Sequence, residues 1–382
     1  MKGESSSSSS RGVMEKKNMA ILPWELVIGI LLMLPVKSLV RFKCVCKSWL
    51  SLLSDPHFAI SHFQRLTASS SRLLFIAPPA LEIRSIDFNA SLHDDSASST
   101  LNLNFLPPST YHNVQLIGSC RGFLLLNCCQ SLWVWNPSTG VHRKLSSTPI
   151  ESNLMQAMFF TFLYGFGYDP STDDYLVVKA SHNPMSLGSA TTRVEFLSLR
   201  TNVWRDVEAT HLSYMNSSKG IKGIREGSLL NGAIHWLAFC CNGSMDVIVV
   251  FDLTERSFSE ILLPVEFLDY ESNCCDLAVL GDLLSICFGE WDHSVEIWVM
   301  EEYRVQSSWT KTIIVSAENI PAAMYFFPIC YTKDGHIFGT DGWTGLAKYN
   351  GKGQLQEHRS YSQGSYRSQV AVYTESLLSF PM

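Results

Sequence analysis

The sequence predicts a small all-α head followed by a large all-β body, the body being a β-propeller in the first reading and a β-sandwich in the alternative. Three observations carry this. From Leu22 to about residue 66, apolar residues keep helical spacing and are punctuated by proline. After Arg72 that spacing gives way to short apolar runs bounded by turn residues, the pattern of strands. Within the body one three-strand pattern recurs at a spacing close to a propeller blade.

Taken in order, residues 1–19 form a polar, serine-rich tail that cannot bury enough surface to order itself. It has no apolar segment of the kind that directs secretion. The 382 residues are 46% hydrophobic and 17% charged, the balance of a globular chain. No apolar run approaches the roughly 18 residues that a membrane span needs, so no membrane partner is expected. Eleven cysteines are present, with adjacent pairs at Cys128-Cys129, Cys240-Cys241 and Cys274-Cys275. Neighbours on a strand face opposite ways, so these pairs read as reduced thiols of a cytoplasmic or nuclear protein.

Charge is divided unevenly. Up to Arg72 there are 10 basic and 4 acidic residues, leaving 19 basic against 31 acidic for the remainder. A basic head on an acidic body suits an acidic partner. Its cations are spaced through apolar residues with no groove-entering motif, which argues against nucleic acid.

The head spans residues 20–66. Pro23 suits the first turn of a helix reaching about Met33, with Glu25 near its positive end. Pro35 breaks that helix and opens a second, in which Leu39, Val40, Val45, Trp49, Leu52 and Leu53 keep helical spacing. The expected product is a helical hairpin of about 40 residues, near the size below which a domain seldom stands alone. It needs a partner surface.

These residues carry a family resemblance. The run "LPWEL…LPVKSLVRFKCVCKSW" resembles the F-box, with Leu22-Pro23, Leu34-Pro35, Val36, Leu39, Arg41, Val45, Cys46 and Trp49 in the usual order. The resemblance implies that the head docks on the acidic, helical Skp-type adaptor of a cullin-RING ubiquitin ligase. It also implies adaptor-binding roles for Leu22, Pro23, Leu26, Leu34, Pro35, Val36, Leu39, Arg41, Val45, Cys46 and Trp49.

A linker over 67–72 leads into the body, residues 73–382. Its repeat starts at Gly122, at Asn231, at Gly281 and at Lys333, about 50 residues apart in the best-spaced copies, as in kelch-type blades. Asn136-Pro137-Ser138-Thr139 and Asp169-Pro170-Ser171-Thr172 read as turns held by the Asx side chain, with proline presetting φ. Trp204 and Trp309 follow turns and suit the wedge between neighbouring sheets. Radially arranged sheets protect their edges, which favours the propeller. The body resembles the F-box-associated, kelch-related interaction domain of plant F-box proteins through "GSCRGFLLL" at Gly118, "WNPSTG" at Trp135, "GFGYDPSTDDYLVVK" at Gly165, "NGAIHWLA" at Asn231 and "VYTESLLS" at Val372.

Nothing in the sequence asks for catalysis, a cofactor or a metal. It has no nucleophile elbow, phosphate-cradling loop or HExxH. "GFGYDP" has two glycines of a dinucleotide fingerprint but lacks the third, and reads as a turn between strands. "DGHIFGTDG" at Asp334 lacks the alternating ligands of a calcium loop and reads as hairpin turns. Cys44 and Cys46, one residue apart on a helix, splay away from any site shared with His57 and His62. His235, inside an apolar strand, reads as a satisfied core histidine. The implied function is a substrate receptor, with a propeller enzyme, a sugar- or ligand-binding propeller and an F-box tether outside any ligase as the competing readings. The target protein and its binding residues are not specified; the variable connections Thr148 to Met158, Ser181 to Thr192, Thr210 to Ile224 and Asp269 to Cys275 are where specificity is expected.

Overall fold

The structure is a computed structural model describing residues 22–66, 71–77, 82–129, 131–147, 161–182, 192–207, 214–216, 224–240, 246–267, 275–289, 294–316, 326–361 and 368–381. The serine tract lies outside these residues, as does most of each connection picked out for target recognition.

The head is four short helices: α1 (Trp24–Leu31), α2 (Val36–Phe42), α3 (Lys47–Leu53) and α4 (Pro56–Leu66). Pro23 and Pro35 each sit just before a helix, with φ fixed at −52° and −58°. Before α4, the Asp55 carboxylate accepts the backbone N–H groups of His57 and Phe58. The hairpin expectation is corrected in one respect. The second helix breaks at a turn over Lys43–Val45, with Cys46 extended. In an unbroken helix Phe42 and Trp49 would lie about 10 Å apart along the axis. The break instead brings their rings edge to face, with centroids 5.3 Å apart. No described helix is long and apolar enough to cross a membrane.

The body is a ring of six sheets among the described residues, which decides for the propeller over the sandwich. Blade one holds β1 (Ser71–Ala77), β2 (Glu82–Ile86) and β3 (Ser98–Leu101). Blade two holds β4 (Val114–Cys120), β5 (Phe123–Cys128), β6 (Ser131–Trp135) and β7 (His142–Lys144). Blade three holds β8 (Thr161–Asp169), β9 (Asp174–His182), β10 (Arg193–Ser198) and β11 (Val203–Asp206). The crossing to blade four carries β12 (Tyr214–Asn216), which pairs with the later β15, and β13 (Ile224–Glu226), which adds to β8 in parallel. Blade four continues with β14 (Ser228–Leu230), β15 (Ala233–Cys240), β16 (Asp246–Asp252) and β17 (Phe258–Ile261). Blade five is β18 (Cys275–Leu280), β19 (Leu283–Gly289), β20 (Ser294–Met300) and β21 (Trp309–Ser316). Blade six is β22 (Phe327–Tyr331), β23 (Ile337–Thr340), β24 (Gly345–Tyr349) and β25 (Leu355–Ser360). The last strand, β26 (Gln369–Thr374), returns to pair antiparallel with β1 and closes the ring.

Turn chemistry recurs with the blades. Arg121-Gly122, Asn231-Gly232 and Gly281-Asp282 each place two consecutive residues at positive φ between the first and second strands of a blade. That is the turn whose twist matches paired strands. The Asn136 side chain accepts from Ser138 N and Thr139 N, and Asp169 from Ser171 N, as the turn reading requires. Burial disfavours ionisation of Asp169, but hydrogen bonds from Ser171, Thr172 and Arg256 outweigh it and hold the carboxyl well below the usual range.

Two of the junctions between blades share one device. Trp204 Nε1 donates to Ser146 O of blade two, and Trp309 Nε1 donates to Leu262 O of blade four, so each indole clamps its own blade to the preceding one. Where "GFGYDP" was expected to turn, the chain runs straight: Gly165 and Gly167 lie inside β8. A Cβ on Gly165 would sit 2.5 Å from Ile234 Cγ2, and one on Gly167 2.4 Å from Leu253 Cδ1. The glycines mark the close approach of blade four, whose Trp236 Nε1 donates to Tyr164 O.

His235 is fully buried; Nδ1 lies 3.2 Å from Ser228 O and Nε2 2.7 Å from Tyr303 Oη. Burial lowers its pKa from 6.5 to about 4. The unfolded chain therefore binds more protons than the folded one between these values, so stability is full above about pH 6.5 and falls as pH drops toward 4. Urea midpoints are expected to fall between pH 7 and pH 5, with His235 contributing roughly 2 kcal/mol of the loss. His235→Gln should be less stable at pH 7 and lose less on acidification; an equal loss in both proteins would contradict this.

Candidate functional site

Helix α1 is apolar on both sides. Leu31 and Leu32 are buried, and Val27 and Ile28 pack beside them, while Trp24, Leu26 and Ile30 point outward. A helix apolar all round is ordinarily buried all round. Here one side is bare. Leu22 before the helix, Met33 after it, and Val45 and Leu50 on the following turn and helix are bare as well, Met33 and Val45 being 64% and 61% exposed. Seven of the thirteen exposed large apolar side chains among the described residues thus fall between Leu22 and Leu50, a concentration that marks an interaction surface rather than scattered exposure. Lys37, Arg41 and Lys47 are exposed on the same short helices.

The residues singled out in the sequence divide between this surface and the core. Leu22, Pro23, Leu26, Pro35, Arg41, Val45 and Cys46 are exposed. Val36 and Leu39 are buried, and Leu34 and Trp49 pack half-buried against the same core. His62 Nε2 donates to Leu34 O at 2.8 Å and pins the second Leu-Pro turn. Trp24, Ile30, Met33 and Leu50 join the exposed set without having been singled out; for Trp24 and Ile30 the signal was the apolar composition of α1 on both faces.

The head shares one core with blades two and three. Leu31, Val36, Leu39, Leu53 and Phe58 belong to the same buried cluster as Ile117, Phe123, Leu132, Tyr164 and Leu199. Leu377 and Leu378, beyond the last strand, complete it. Asn136, fully buried, donates through Nδ2 to Ser376 O and Leu378 O, and Phe380 stacks on Phe123 at 4.9 Å. Gly122, at φ +86°, makes room: a Cβ there would lie 2.2 Å from Ser376 Cβ. The Arg121 guanidinium sits 3.7 Å from the Tyr168 ring centroid and 5.4 Å from that of Phe63 in α4. Burial raises the pKa of Glu375, and the positive charges of Arg72 in the body and Lys37 in the head oppose that rise.

Comparison with known proteins agrees with this division of labour. The family described as F-box associated beta propeller domain matches residues 74–342. The chain belongs to that family. The F-box domain itself matches residues 19–61, the stretch that bears the exposed apolar surface. An F-box/kelch-repeat protein of Arabidopsis thaliana is 29% identical over 86% of this chain and 87% of its own length. The F-box protein CPR1 of Arabidopsis thaliana is 28% identical over 83% of this chain and 78% of its own.

The F-box is therefore mounted on its propeller by a common core that the C-terminal residues seal. Asn136→Ala would strip two buried carbonyls of their donor, and the expected cost is about 2 kcal/mol. A thermal or urea midpoint equal to that of the parent protein would refute this account of the seal.

Proposed function

We propose that this chain is the substrate-recognition subunit of an SCF-type cullin-RING ubiquitin ligase, acting in the cytoplasm or nucleus. The F-box docks on an acidic Skp-type adaptor, which links it to the cullin and RING subunits, and the propeller holds a target protein. The chain makes no covalent bond; its contribution is proximity, holding a target lysine near the charged ubiquitin carrier so that a bimolecular encounter becomes nearly intramolecular. The observation that carries this reading is the bare apolar face of the head, backed by Lys37, Arg41 and Lys47, within the span that the F-box family matches. Leu22, Pro23, Leu26, Leu34, Pro35, Arg41, Val45 and Cys46, with Trp24, Ile30, Met33 and Leu50, are assigned to adaptor contact. Val36, Leu39 and Trp49 hold that face from behind.

This division dictates the test. Alanine at Val36 would open a cavity in the shared core, and removing the head would bare Ile117 and Phe123, so both confuse binding with folding. Leu26→Glu combined with Val45→Glu changes only exposed side chains. Adaptor co-purification should fall at least about thirtyfold, as for central anchors of an interface, with the unfolding midpoint unchanged. Binding equal to that of the parent would sink the assignment.

In cells, the intact protein should shorten the half-life of its best-enriched partner. The double variant should lengthen it by occupying the target without delivering ubiquitin. A chase in which neither protein alters the partner's half-life or ubiquitin state removes support for the receptor mechanism.

A further inference from the structure

The acidity of the body is concentrated. Between Asp246 and Glu302 the sequence holds 14 of its 35 acidic residues and a single basic one, Arg256. This stretch supplies β16 and β17 of blade four and β18 to β20 of blade five. Outside the F-box, six large apolar side chains are exposed among the described residues, and three of them, Leu262, Val265 and Val305, lie where these two blades meet. The meeting is fixed by hydrogen bonds: Gln306 Nε2 donates to Leu263 O at 2.8 Å and Trp309 Nε1 to Leu262 O at 3.1 Å. At the same junction Phe267 packs edge-on to Trp298 and to Phe288, with centroids 5.4 and 5.3 Å away, in the core that joins the two blades. Glu260, Glu266, Glu301 and Glu302 are exposed on the same connections and outer strands. The nearby cations are engaged locally: Lys311 pairs with Glu296 at 2.6 Å, and Arg304 lies over the Tyr303 ring.

We infer that the junction of blades four and five is the target-docking surface of the propeller, and that it takes a basic segment, rich in Lys and Arg, with aliphatic side chains among the cations. The aliphatic groups fill the surface formed by Leu262, Val265 and Val305, and the cations face the glutamates around it. Apolar anchors supply the binding and the opposite charges supply orientation and encounter rate. This deepens the receptor reading and rests on it, since it names the chemistry of the target. The surface belongs to blades four and five, whereas the F-box shares its core with blades two and three, so a target docked here leaves the adaptor face uncovered.

The test uses the full-length protein in three forms: the parent, Glu266→Lys with Glu302→Lys, and Leu262→Ser with Val265→Ser. The probe is a fluorescent synthetic peptide of alternating lysine and leucine pairs, read by anisotropy, beside a control with serine in place of leucine. The parent is expected to bind the leucine peptide better than the serine one. Each double variant should weaken that binding about tenfold, and only the charge-reversed form should lose most of its salt dependence. No binding by the parent, or equal binding by all three forms, overturns the inference. So does a concentration-dependent dimer of the parent that both variants abolish, because the surface would then serve a second copy of this chain. Adaptor co-purification is measured on the same preparations: its presence in all three with no peptide effect defeats only the docking surface, while its absence in the parent defeats the receptor reading.

Discussion

Everything in this molecule that has to stay in register depends on one apolar joint, where the F-box helices, the turns of blades two and three, and the residues after the last strand share a core. Burying Leu39, Leu53, Phe123, Leu197 and Leu377 in a single cluster couples parts that are far apart in the chain. The polar cost of the joint is met locally: Asn136 supplies donors to two tail carbonyls, and Gly122 removes the side chain that would hold the tail away. The F-box is held by the propeller as one blade is held by the next.

That arrangement resolves a conflict built into the head. A bundle of about 45 residues has too little interior to satisfy an apolar helix on all sides. The inner side of α1 is satisfied by the joint, and its outer side stays bare because the propeller reaches only the inner one. The motif residues are therefore of two kinds. Val36 and Leu39 place the face, and Leu26, Pro35 and Val45 form it.

The sequence reading reached the division into head and propeller because helical and strand periodicities differ so sharply on either side of Arg72. It found the blades through their hairpins: the copies begun at Gly122, Asn231 and Gly281 start at the left-handed turns between first and second strands. For that reason each copy omitted the first strand of its blade, which precedes the turn. Blade one left no copy at all, since one of its four strands comes from the other end of the chain. Gly165 and Gly167 misled because glycine suggests a turn when only one chain is in view; their true cause, the approach of Ile234 and Leu253 from the next blade, is nonlocal. The break between α2 and α3 was likewise hidden, as it serves a ring contact between Phe42 and Trp49 that helical spacing permits but does not require. The joint itself was invisible, because Leu377 and Leu378 look like an ordinary apolar end.

The pairing of β1 with β26 has a consequence in time. Some 290 residues separate the two strands, and a ribosome adding about 5–20 residues per second needs roughly 15 to 60 s to make them. Throughout that interval the first blade presents β1, with Leu73, Leu74, Phe75 and Ile76, as an open apolar edge. The F-box helices, already made, wait as long for Leu377 and Leu378, so the edge of blade one and the inner side of the head lie open together. Synthesis that stops short of Gln369 would leave that edge open for the life of the product.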